Sequence, residues 1–361
     1  MKYVPFYNEL KTDRDDCYFI GLNSADGFRW ADPDLFSENK LQRLYIIKGA
    51  AGTGKSTLLR KIADECADSG NPVRRYLCSS DPSSYDGIVI DGKVALVDGT
   101  APHVTEMKYP GAVSEIVNLA NFWDVKKLIS KSDEIISDSV NKTVNYERAY
   151  KALKAIRVLT GGMYSEVREC INVGKAEKAV KRLVGSLKNG VCKGSTTNAV
   201  INSIGMRGRF KLDTLKKKAE KVICVDDRYG SSYCFLDILK ETLIKEGYEI
   251  FVSPDPLYSC LVSDVYIPSA RLLITNEIIA EPFKNVNMER FLDFGKLKGI
   301  KGSVRLSAKC AEQLVSDAER SLKDAGTYHF SLEKIYGDAM NFEALNEYTK
   351  LLTRNILCEL Q

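Results

Sequence analysis

The chain has 361 residues, 44% of them hydrophobic and 28% charged, the make-up of an ordinary globular protein with apolar side chains enough for more than one core. Its 52 basic and 48 acidic residues leave a net charge of +4, too small to point to nucleic acid or to an anionic membrane as a partner. Two histidines, and ten cysteines without a Cys-x-x-Cys pair, argue against a zinc site and a disulfide framework; reduced, buried thiols in a cytoplasmic protein are expected. The start, Met1-Lys2-Tyr3-Val4-Pro5, lacks the apolar stretch of a signal peptide, and no run reaches the length of a membrane span.

In chain order, Leu44-Tyr45-Ile46-Ile47 is a short apolar run that suits a buried parallel strand. Lys55 to Ser69 reads as a helix with Leu58, Leu59, Ile62, Ala63 and Cys66 on one face and Gly70 as its stop. Val73 to Cys78, Ile88 to Ile90 and Val94 to Val97 read as strands, with Asp91-Gly92 as the turn between the last two. From about 114 to 190 the period becomes helical, over Tyr146 to Leu159 and Glu177 to Leu187, with Gly161-Gly162 and Gly174 as expected breaks.

The pattern then recurs. Lys221 to Val225 is again a strand; Phe235, Leu236, Leu239, Leu243 and Ile244 lie on a helix that stops at Gly247, and strands follow at Glu249 to Val252 and Arg271 to Thr275. A shift of 177 positions carries Gly70 to Gly247 and Lys48 to Val225, and Phe19 to Phe28 resembles Val200 to Phe210. From Asn287 onward the chain is helical, as the first half is after Ser114. The expected fold is therefore α/β: a P-loop NTPase-type sheet with helices on both faces, duplicated, over residues 1–190 and 191–361, each half with a helical extension.

Gly49-Ala50-Ala51-Gly52-Thr53-Gly54-Lys55-Ser56 fits G-x-x-x-x-G-K-[ST] between a predicted strand and a predicted helix, the context this motif requires. The glycines let backbone N–H groups turn inward around phosphates, and Thr57 extends that set into the helix N-terminus, where unpaired N–H groups favour anions. Lys55 supplies a mobile charge for the β- and γ-phosphates, and the Ser56 hydroxyl a ligand for Mg²⁺. Asp98 ends an apolar strand and is the expected second anchor of the Mg²⁺ shell; no glutamate follows it as a base. His103, Asp81 and Asp86 should lie at the rim of the same crevice, whereas His329 and Glu333, four apart on a helix, read as a surface pair.

The second half has Asp226-Asp227-Arg228-Tyr229-Gly230-Ser231-Ser232-Tyr233 where the first has its glycines and lysine, so that Ser232 replaces Lys55, and Asn276 stands at the place of Asp98. Acids at the phosphate approach repel a triphosphate, and this loop is not expected to bind one.

The run Tyr45 to Leu59, the Asp81-Pro82 loop, Leu96 to His103 and Lys108-Tyr109-Pro110-Gly111-Ala112 resemble a bacterial family of tandem P-loop ATP-binding proteins whose reaction is not established. The resemblance covers nearly the whole chain and implies ATP binding at Gly49 to Ser56. With ATP and Mg²⁺ as the expected ligands, three activities fit. They are a slow or partner-stimulated ATPase acting as a switch, a small-molecule kinase using Arg148, Lys151, Lys154 and Arg157 on a helical lid, and a nucleotide-gated binding protein without turnover.

Overall fold

A computed structural model describes residues 7–102, 104–187, 193–226, 229–258 and 261–361. The first half contributes β1 (Asn8–Leu10), β2 (Cys17–Phe19), the hairpin β3 (Gly21–Ser24) and β4 (Gly27–Trp30), then β5 (Arg43–Lys48) and α1 (Lys55–Asp68). Next come β6 (Val73–Leu77), β7 (Tyr85–Ile90), β8 (Val94–Asp98) and β9 (Ser114–Asn118), and after them α2 (Val125–Ile129), α3 (Ser132–Glu169) and α4 (Val173–Gly185). The second half repeats the series with β10 (Ser195–Asn198), the hairpin β11 (Asn202–Gly205) and β12 (Gly208–Leu212), and α5 (Thr214–Lys218). It continues through β13 (Lys221–Asp226), α6 (Ser232–Lys245), β14 (Glu249–Pro254), β15 (Val262–Ile267), β16 (Leu272–Thr275), β17 (Lys284–Asn287), α7 (Phe294–Asp338) and α8 (Phe342–Glu359).

The protein is thus mixed α/β, with two six-stranded sheets of one topology. Their orders are β2-β6-β7-β8-β5-β9 and β10-β14-β15-β16-β13-β17. In each, the third strand runs antiparallel to both neighbours and the remaining pairs are parallel. The three strands expected after α1 thus follow one another as β6, β7 and β8 without an intervening helix. Asp91 and Gly92, with φ of 51° and 67°, form a two-residue turn, and a connection that short joins only antiparallel strands. The shift of 177 positions superimposes the limits of α1 on those of α6.

Two further expectations are corrected. Gly161 and Gly162 do not break a helix: α3 runs through them for 38 residues. Each glycine costs about 1 kcal/mol of helix propensity, but packing along the 45-residue α7 and burial of Leu153, Ile156, Met163 and Val167 outweigh it. Gly174 lies inside the first turn of α4, behind the Asn172 cap, and does not interrupt it.

The helical extensions do not stay wholly with their own sheets. The core around β13–β16 and α6 includes Ala149, Leu153 and Ile156 of α3 and Ala176, Val180 and Val184 of α4. The core around β5–β8 and α1 includes Leu345, Leu352 and Ile356 of α8. Paired backbone hydrogen bonds fix the exchange. Asp124 N–H donates to Ala339 O at 2.7 Å and Asn341 N–H to Phe122 O at 2.9 Å. In the other half, Asp293 N–H donates to Cys170 O at 2.8 Å and Asn172 N–H to Phe291 O at 2.7 Å. A boundary near residue 190 divides the sequence, but packing crosses it in both directions.

Two outcomes are expected. Residues 1–187 expressed alone should show no cooperative melting transition, because α1 loses its α8 cover and α3 its partner α7; co-expression with residues 193–361 should restore one. Gly161 has negative φ and open space where a Cβ would sit, so Gly161→Ala should stabilise the full chain by about 0.5–1 kcal/mol, measured by chemical denaturation.

Candidate functional site

The crevice forms where β5 and β8 end side by side. They are parallel neighbours, and Ile47 lies opposite Asp98, so the loop leaving β5 and the acid ending β8 emerge at one edge. All the residues from Leu44 to Ile47 and from Val94 to Val97 are buried, which fixes both strands in the sheet interior. The loop 49–54 turns through Gly52 and Gly54, with φ of 73° and 89°, backbone that disfavours any side chain. Gly54 leads directly into α1, whose first residue is Lys55. The backbone N–H groups of that first turn thus face the crevice end of the sheet.

Lys55 is folded back over its own loop. Its Nζ donates to Gly49 O at 2.8 Å and to Ala50 O at 2.6 Å, and it lies 3.6 Å from Asp98 Oδ2. Thr100, not singled out by the sequence pattern, ties acid to loop. Its N–H donates to Asp98 Oδ1 at 2.8 Å and its hydroxyl to Gly49 O at 2.9 Å. Thr53 is buried and donates to Ala50 O at 2.8 Å. The Ser56 hydroxyl accepts from Tyr85 N–H at 2.8 Å, which leaves one oxygen lone pair for a cation. Thr57 is exposed, and Ala51 is half-buried on the loop. Among the described residues no group of three His, Cys, Asp or Glu gathers as a metal site. A divalent ion at Ser56 and Asp98 would therefore draw its other ligands from phosphate and water.

Burial raises the Asp98 carboxyl above its ordinary value; Lys55 opposes this, Asp86 adds to it, and the net shift is upward. Lys142 of α3 is half-buried, and its ammonium is held below its ordinary value first by burial and then by the charge of Lys55. Asp81 faces the opposite balance. Burial would raise it, but hydrogen bonds from Arg207 at 2.8 and 3.1 Å and from Ser83 outweigh burial and hold it low. Asp81 is thus a joint between the halves, while Asp86 is the rim acid that lies near Asp98.

The loop is covered by the exchanged helices. A Cβ on Gly52 would stand 2.1 Å from the backbone carbonyl of Glu333, and one on Gly54 2.9 Å from Leu345. His329 and Glu333 lie 3.4 Å apart as their spacing implies. They are half-buried on the turn of α7 that crosses the loop, not on open surface as expected. Arg148, Lys151 and Lys154 are exposed, and Arg157 pairs with Asp26 at 2.5 Å. Instead of those four, α3 brings Tyr146 to the crevice, where its hydroxyl donates to Ser80 Oγ at 2.9 Å. His103 lies outside the described residues, as do Asp227 and Arg228.

The equivalent place in the second half is filled by side chains. Tyr233 opens α6 fully buried, donates to Asp255 Oδ2 at 3.0 Å and stacks on Tyr258 with ring centres 5.0 Å apart. Tyr7 donates to Asp255 Oδ1 at 2.8 Å. Ser232 is buried where Lys55 stands in the first half, and Asp226 ends β13. The strand register corrects the expected match of Asn276 to Asp98: Ile47 faces Asp98, its equivalent Cys224 faces Thr275, and the buried Asn276 is the next residue along.

Fold and site thus define an α/β protein with one glycine-rich loop, lysine and acid at a sheet edge and one filled counterpart. Comparison with family models, with curated proteins and with solved structures gives no match. No described helix is long and apolar enough to cross a membrane.

The upward shift of Asp98 has a stability consequence. Its folded-state value exceeds the unfolded one, so the folded chain binds the proton more tightly. The charged carboxylate costs stability progressively as pH rises through that window, and fully above it. Asp98→Asn should therefore raise the melting temperature of the free protein at pH 7.5, and the gain should vanish toward pH 3.5. A lower melting temperature at pH 7.5 would show that the Lys55 pairing outweighs burial.

Proposed function

We propose that this chain binds Mg-ATP at Gly49 to Thr57 and acts as a slow, partner-stimulated ATPase switch. The observation that carries the reading is the convergence of Lys55, Asp98 and the Gly49–Gly54 backbone within one crevice, with Lys55 Nζ 3.6 Å from Asp98. In the free protein Lys55 bonds to loop carbonyls. On binding, its charge transfers to the β- and γ-phosphates, for which it is far better matched. Loop N–H groups and the start of α1 hold the phosphates; Ser56 and Asp98 hold the Mg²⁺ that neutralises them. Asp98 itself is engaged by Thr100 and Lys55, and no glutamate follows it as a base, which suits slow turnover completed by a group from a partner.

The shared strand order and reciprocal helix exchange support descent of the halves from one P-loop-type unit, in keeping with the tandem family that the sequence resembles. The second half then serves as cover and scaffold for the working loop. Its equivalent of Lys55 is the neutral Ser232, and Tyr233, Tyr258 and Asp255 fill the space beside it.

Mg-ATP at a hundred times its dissociation constant should stabilise the chain by about 2.7 kcal/mol, and Lys55→Ala should abolish most of that shift. Equal responses from parent and variant would reject the site. Titration calorimetry should give one nucleotide per chain, with Ser232→Ala unchanged in affinity; a stoichiometry of two would reject the filled second crevice. Asp98→Asn should weaken Mg-ATP far more than metal-free ATP.

A further inference from the structure

We propose that Lys142 is a second phosphate-binding cation, delivered by α3 to the terminal phosphate of the bound nucleotide; this rests on the Mg-ATP reading above. Residues four apart on a helix share a face, and two tyrosines fix the face on which Lys142 stands. Tyr146, one turn on, donates to Ser80 Oγ at 2.9 Å, and Tyr150, a turn further, donates to Asn23 Oδ1 at 3.0 Å. Both acceptors belong to the first half, and Ser80 opens the Asp81-Pro82 loop at the crevice rim. Lys142 lies on this stripe, half-buried, with Lys55 as the charge acting on it.

The charge balance is what calls for a ligand. Lys55 has Asp98 and two carbonyls. Among the described residues, no acid lies within ion-pair distance of Lys142. The crevice holds two acids, Asp98 and the nearby Asp86, but the charge acting on the half-buried Lys142 is that of Lys55, a like charge that an anion entering between the two ammonium groups would offset. The loop N–H groups and Lys55 already serve the β-phosphate. A terminal phosphate held beyond Lys55 would meet the stripe that Tyr146 ties to Ser80, at the start of the Asp81-Pro82 loop. Because α3 is also built into the core of the second half, contact at Lys142 joins the state of the nucleotide to both halves.

The test uses the full chain as parent, Lys142→Met and Lys142→Arg, titrated with Mg-ATP and Mg-ADP by calorimetry, with melting temperatures of the free proteins. Loss of one charge-assisted contact should weaken Mg-ATP by about tenfold or more. Mg-ADP should change by less than about twofold, and Lys142→Arg should keep most of the Mg-ATP affinity. The free Lys142→Met chain should melt at the same temperature as the parent or higher, since it loses a repulsive charge. Equal Mg-ATP affinity in Lys142→Met and parent, or parallel losses of ATP and ADP, overturns the assignment to the terminal phosphate. A free Lys142→Met chain that melts below the parent assigns the residue to the fold and overturns it too. A parent that binds neither nucleotide rejects the Mg-ATP reading itself, an outcome distinct from one in which the parent binds and Lys142→Met matches it.

Discussion

Each core of this protein is completed by helices that follow the other sheet in the chain, and much of the architecture depends on that exchange. α1 carries Leu58, Leu59, Ile62 and Ala63 into the first core, where Leu345, Leu352 and Ile356 of α8 close it. α6 carries Tyr233, Phe235, Leu236, Leu239 and Leu243 into the second, where α3 and α4 join α7 in closing it. Apolar burial drives folding without direction, so the crossing is specified by something else. The directional element is the reciprocal set of backbone hydrogen bonds at the ends of α3 and α7, where Asp124 meets Ala339 and Asp293 meets Cys170. A buried backbone group without such a partner is costly, and this fixes where each long helix ends.

The exchange also builds the crevice. A glycine-rich loop at a sheet edge would ordinarily face solvent, yet here the carbonyl of Glu333 and the side chains of Phe342 and Leu345 lie against it. Glycine at position 52 is required twice over, by a positive φ and by the approach of α7. The loop is therefore in mechanical contact with a 45-residue helix that runs beside α3. A ligand that changes the loop must act on that helix pair, and hence on both cores. In a chain whose second crevice is occupied by Tyr233 and Tyr258, this contact gives the second half a physical role at the loop of the first.

Electrostatically the crevice is held away from its most stable state. Asp98 is buried beside Asp86, and Lys142 is half-buried beside Lys55. Replacing such groups by neutral ones of like shape would stabilise the free chain, and the binding proposed above supplies the reason for their presence together. By contrast, Asp81 is satisfied by Arg207 and Ser83 and serves to join the halves. The two aspartates of the β6–β7 segment, equivalent as sequence candidates, thus differ in kind.

The sequence by itself determined what depends on neighbours along the chain. The apolar run of β5, the glycines at 52 and 54, the lysine opening α1, the Asp91-Gly92 turn and the repetition of α1 as α6 are set by backbone conformation and local period. The pairing of Asp98 with the loop was also legible, because an acid ending an apolar strand has few other places to go. Tertiary structure decided the rest. Gly161 and Gly162 stay helical because Ile156, Met163 and Val167 on either side of them are buried, and His329 and Glu333 cross the loop because α7 does. The helices of residues 114–190 read as the lid of their own half because adjacency in sequence is the default. In the structure α3 reaches both halves, with Tyr146 and Tyr150 on the first and Leu153 and Ile156 in the second core, and α4 joins the second, through long-range contacts that carry no local signature.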